Sequence, residues 1–209
     1  MAVLDRLATF QKRRDEVPNQ ELARDLAARK DKAGIREVAE NLRNKNKGIQ
    51  ADCIKVLYEI GYLNPDLIAD FAEDFISLLK SHNNRLVWGG MIALSTLADK
   101  RAAVLFDHLA EIQKAVKTGS VITVDNGVAT LARVASVSDK YDQAIFPFLL
   151  QHLKSCRPKD VAQHSEKSLP AVKTSNKEKF IKVLEKRMED LSGSGLARVK
   201  KVIKQAQSR

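Results

Sequence analysis

The chain has 209 residues, 44% of them apolar and 30% charged, a balance that can bury a core and excludes a largely disordered polymer. Two cysteines, Cys53 and Cys156, exclude a disulfide framework and a CxxC zinc pair, and they point to a reducing cytoplasm. The formal net charge of +10 is lopsided: residues 154–209 carry 15 Lys/Arg against 6 Asp/Glu, whereas residues 46–153 carry 10 against 12.

Taken in chain order, the apolar periodicity predicts helices near 2–14, 18–30, 33–45, 47–62, 65–81, 84–98, 101–117, 121–136, 139–154, 158–172, 175–191 and 195–207. The first three make an N-terminal capping region over 1–45, in which Lys12-Arg13-Arg14 is too short, and too near Asp15 and Glu16, to act as a nucleic-acid arm. From residue 46 a repeat of 37 residues sets in. Leu57, Leu94 and Leu131 share a register, as do Ile60, Leu97 and Val134, and so do the small residues Cys53, Gly90 and Gly127. A fainter fourth copy places Ser165, Leu169 and Val172 in the same slots.

Each unit has a second apolar helix, marked by Phe75, Ile112 and Leu149. The stretch 119–125, Gly-Ser-Val-Ile-Thr-Val-Asp, has the β propensity of a strand. The repeat register overrides this and predicts helix. Asn64-Pro65, Ser138, Asp139 and Thr174 are expected to start helices, and Gly119, Gly193 and Gly195 to end them. The last segment, 193–209, reads as a basic capping helix.

No run of eighteen apolar residues and no apolar leader occur, so neither a membrane span nor a signal peptide is expected. The chain has no GxSxG, Walker or GxGxxG motif, and its four histidines have no HxxxH or HExxH spacing. His152 and Cys156, four apart near a helix end, could share an ion but lack further ligands in the sequence. No metal and no cofactor are therefore expected, and no catalytic residue is assigned.

These packing patterns resemble the HEAT/armadillo superfamily. Ile145-Phe-Pro147-Phe-Leu-Leu-Gln-His-Leu153 looks like its outer helix, and Asn84-Arg85-Leu-Val-Trp-Gly-Gly-Met-Ile-Ala-Leu94 looks like its inner helix with a polar-Arg start. The likeness covers about residues 46–192 and implies an all-α, right-handed α-α superhelix of about six stacked hairpins in one domain, 1–209. It further implies a non-catalytic scaffold that binds a protein or other polymer on a concave face. On that face the expected contact residues are Arg85, Trp88, Asp125, Asn126 and His164.

The alternative is nucleic-acid binding through a basic patch of Lys182, Lys186, Arg187, Arg198, Lys200, Lys201 and Lys204. HEAT-like DNA glycosylases that remove alkylated purines are its enzymatic form. They use concave aromatics beside a carboxylate, and here only Trp88 with Asp125 could fill those roles.

Overall fold

The structure is a computed structural model that describes residues 2–209. Twelve α-helices and several 3-10 turns account for its regular structure, and no strand occurs among the described residues. The chain divides into two compact units, Met1–Asn126 and Gly127–Arg209.

In the first unit α1 (Val17–Arg29), α3 (Lys47–Leu63) and α5 (Asn84–Leu97) pack side by side, while α2 (Lys32–Glu40) lies against α3. A second layer is formed by α4 (Ala72–Leu78), α6 (Ala102–Asp107) and α7 (Leu109–Thr118), with α4 seated on both α5 and α6. The helix α8 (Val121–Val137) runs from the first unit into the second. In the second unit α9 (Asp139–Ser155) packs on α11 (Lys177–Arg187), and α10 (Pro158–Ser168) packs on α12 (Gly193–Gln207).

The register residues explain this order. Leu57, Leu94 and Leu131 occupy equivalent turns of α3, α5 and α8 and are at most 1% exposed, as are Phe75, Ile112 and Leu149 of α4, α7 and α9. Close approach demands small residues at two places. A Cβ on Gly90 would lie 3.0 Å from the Phe75 carbonyl oxygen, and one on Gly89 would lie 2.7 Å from Ile54. The stretch with strand propensity, 119–125, lies in a turn and the start of α8, with Val121 and Ile122 exposed and Thr123 buried.

Three expected elements differ. Residues 2–14 form a 3-10 turn at Leu4–Arg6 and irregular chain, with Lys12 at φ +55. Tertiary acceptors claim the amides that a helix would use: Ala8 N donates to Asn19 Oδ1 at 3.0 Å, and Thr9 N to Asp52 Oδ2 at 2.8 Å. Over 65–81 only Ala72–Leu78 is α-helical. Asn64 caps a 3-10 turn by accepting from Asp66 N, and the Ala69 carbonyl is taken by Arg101 Nε at 2.8 Å. The helix expected over 101–117 breaks at His108, whose imidazole lies 3.5 Å from both Glu73 and Glu111.

Capping also needs revision at two points. Ser138 accepts from Tyr141 N as expected, but α11 starts after Asn176 rather than at Thr174. Asn176 is held by accepting from Lys173 N and donating to Asp142 and the Ala171 carbonyl. Gly193, at φ +54, opens α12 instead of closing α11.

Candidate functional site

The most developed surface feature of the first unit lies across α3 and α5. Tyr58 meets Tyr62 edge-on at 6.1 Å and Trp88 at 6.2 Å between ring centroids. Four-residue spacing puts Tyr58 and Tyr62 on one face of α3, and the packing of α5 on α3 brings Trp88 alongside. Tyr62 is 59% exposed and the neighbouring Leu63 55%, so the aromatic ridge opens to solvent at the end of α3. Burial pushes the hydroxyls of Tyr58 and Tyr62 above the ordinary phenol range.

Charge is arranged along the same ridge. Lys55 is buried, with its ammonium 2.6 Å from Glu59, 2.9 Å from Glu16 and 4.9 Å from the centre of the Tyr58 ring. Desolvation pulls its pKa down, but the hydrogen bonds to Glu59 and Glu16 outweigh this and hold it above the ordinary lysine value. Glu16 also accepts from Arg85 at 2.8 Å, and the Arg85 guanidinium sits 5.7 Å from the Trp88 ring centre. Arg85 Nε is buried without a hydrogen-bond partner.

Of the residues expected on a binding face, Arg85 and Trp88 therefore meet each other, and both are half-buried. Asp125 and Asn126 are half-buried on α8, where Asn126 Nδ2 turns back to the Ile122 carbonyl at 2.9 Å. His164 belongs to the second unit and is only 2% exposed, with its Nδ1 2.9 Å from Nε2 of His152. Its slot in the repeat register faces other side chains, not solvent. Sequence reasoning missed Tyr58, Tyr62, Glu16 and Lys55. The four-residue spacing of the tyrosines was a readable signal, whereas the pairing of Glu16 with α3 and α5 depends on the irregular N-terminal chain.

The basic residues separate into two groups. Lys182 and Lys186 on α11 and Lys200, Lys201 and Lys204 on α12 are exposed. Arg187 turns inward and is 8% exposed, donating to the carbonyls of Leu153 at 2.6 Å and Cys156 at 2.9 Å. It ties α11 to the end of α9 and is not part of an open patch. Arg198 is engaged by both carboxylate oxygens of Glu166, at 2.8 and 2.6 Å. A groove of about 880 Å³ runs between α9 and α11, lined by Lys154, Lys179, Lys182 and Lys186 with Leu150 and Val183.

The turn between α9 and α10 brings three donors together. The donor atoms of His152, Cys156 and His164 lie within 4.8 Å of one another. Burial pushes His152 down to about 4, helped by His164 and opposed by Asp160. Burial raises the Cys156 thiol, while Arg187 acts in the opposite direction.

No helix among the described residues is long and apolar enough to cross a membrane. No known family pattern matches the chain, and no curated protein matches it. Solved structures do. An engineered protein from the Northeast Structural Genomics Consortium is 19% identical with a TM-score of 0.68, covering 100% of this chain and 98% of its own. A designed armadillo repeat protein in complex with the peptide (KR)4 is 14% identical with a TM-score of 0.67, covering 99% and 97%. Computationally designed armadillo repeat proteins for modular peptide recognition are also similar, at 14% identity and a TM-score of 0.64, covering 98% of each chain. The chain thus has the fold of the armadillo-like α-solenoids.

Proposed function

We propose that the protein is a non-catalytic repeat scaffold that binds an extended protein segment along the α3–α5 ridge. The observation that carries this reading is the Tyr58–Tyr62–Trp88 cluster, open at Tyr62 and framed by the Glu16–Lys55–Glu59–Arg85 ion network. Aromatic side chains give large contact area at low cost in conformational entropy, and they dominate binding energy where they are partly prepacked. The alternating charges would fix register, since each is already held by a partner before binding. Peptide recognition by designed armadillo proteins of the same fold supports this use of the scaffold.

Trp88 is the sole tryptophan, so its fluorescence reports on this ridge. Peptides selected from a random display library are expected to shift its emission, and Tyr62→Ala is expected to weaken their binding about tenfold or more. Failure to select any peptide, or wild-type affinity in both the Tyr62→Ala and Trp88→Ala proteins, would overturn the proposal. Steeply salt-dependent oligonucleotide binding that disappears in a Lys200→Glu, Lys201→Glu, Lys204→Glu variant would instead make nucleic acid the partner.

A further inference from the structure

We propose that His152, Cys156 and His164 form a site for one zinc-like transition-metal ion at the turn between α9 and α10. All three donors come from a single helical hairpin. His152 and Cys156 stand one helical turn apart at the end of α9, where Cys156 is the C-cap residue and its amide donates to the His152 carbonyl at 2.8 Å. His164 projects from α10, which begins at Pro158 only two residues after Cys156. The sequence spacing shows the first two ligands; only the folding back of α10 supplies the third.

The dimensions fit. Tetrahedral zinc with bonds of about 2.0–2.1 Å to nitrogen and 2.3 Å to sulfur requires donor atoms roughly 3.3–3.6 Å apart. The two imidazole nitrogens are 2.9 Å apart, with ring centroids 4.8 Å apart, and all three donors fall within 4.8 Å. Adjustments of about 0.4–0.7 Å between the imidazole nitrogens, and of up to about 1.2–1.5 Å for the widest donor pair, bring them to that spacing. The donor type, two imidazoles and one thiolate, is the set that zinc and cobalt favour over the hard cations, which take oxygen.

Burial raises the Cys156 thiol, and Arg187 beside it acts in the opposite direction, its guanidinium held by the Leu153 and Cys156 carbonyls and by Asp190. Asp160 is close enough to act electrostatically on both His152 and Cys156, and Arg157 holds its carboxylate at 2.6 Å. It would balance the charge of the ion from the outer shell, as carboxylates commonly do around zinc. Cys156 also lines the groove between α9 and α11, which gives an ion a way in and leaves the fourth coordination position to water or an added ligand.

The test is titration of the reduced, untagged protein with Co(II). One equivalent is expected to give the near-ultraviolet thiolate-to-cobalt charge-transfer band and intense visible bands of tetrahedral cobalt, displaced by Zn(II). Cys156→Ser, a nearly isosteric change at a partly exposed position, should abolish the charge-transfer band. His152→Gln, which keeps a hydrogen-bonding side chain towards His164, should weaken binding at least about tenfold. Zn(II) should raise the melting temperature of the wild type and not of Cys156→Ser. Absence of a stoichiometric cobalt complex, or a complex unchanged in folded Cys156→Ser, overturns the proposal; the latter would place the ion at other histidines such as His82 or His108.

Discussion

Asp52 shows how one polar side chain can position a segment that lacks regular structure. It is 8% exposed, accepts from Thr9 N at 2.8 Å and from Asn19 Nδ2 at 2.8 Å, and so joins the N-terminal chain, α1 and α3. Asp52→Ala leaves two buried donors without acceptors, and a loss of about 2–3 kcal/mol is expected in urea unfolding. Its role in the first unit is to hold the chain that delivers Glu16 to the ridge.

The Glu166–Arg198 pair allows a pH test. The hydrogen bonds from Arg198 hold the Glu166 carboxyl below its ordinary value of 4.5, so the folded state favours the ionised form. Its contribution is present above the unfolded-state pKa and is lost as pH falls through the lower folded value. Both side chains are 40% exposed or more, so solvent screening limits the pair to about 0.5 kcal/mol. Arg198→Ala is expected to destabilise the protein slightly at neutral pH and to match the wild type once pH has fallen through the lowered Glu166 value. Denaturant midpoints at the two pH values measure this.

At the scale of elements, close helix packing decides where size is tolerated. Gly90 on α5 faces the Phe75 carbonyl oxygen and Leu78 Cβ, at 3.0 and 3.1 Å from an added Cβ. Gly90→Val is expected to cost about 1–3 kcal/mol through overpacking. Gly195, in the first turn of α12, has nothing within 4 Å of an added Cβ. Gly195→Ala should stabilise by about 0.5 kcal/mol, because alanine is the better helix former. Comparing the two melting temperatures separates contact from propensity, and a similar response at both positions would contradict the packing assigned to Gly90.

The repeat register was readable because a buried stripe recurring every 37 residues survives changes in every other position. It located α3, α5, α8 and α9 to within a residue or two. Two of the failures share one cause: in residues 2–14 and in the stretch before α4, the side chains of Asn19, Asp52 and Arg101, distant in sequence, capture backbone groups. At His108 the break coincides with an imidazole lying between Glu73 and Glu111. A periodicity argument contains no information about such partners.

For the whole molecule, α12 is joined to the second unit by a buried apolar face. Val199, Val202, Ile203 and Ala206 of α12 are at most 9% exposed, packed on α10 and α11. Its lysines Lys200, Lys201 and Lys204 are exposed. Removing residues 193–209 is expected to lower the melting temperature and to cause concentration-dependent association, seen by light scattering. A truncated chain that stays monomeric and as stable as the full chain would show that α12 does not cap the core.

The amino-acid sequence by itself determined the all-helical class, the 37-residue repeat, the core leucines and the basic C-terminal quarter, because burial and helical period act locally and leave a one-dimensional trace. Tertiary structure alone decided that Glu16 reaches Lys55 and Arg85, that Arg187 is an internal tie, and that His164 completes a three-donor cluster with His152 and Cys156. Those outcomes depend on where the chain returns in space, and spacing along one helix cannot express them.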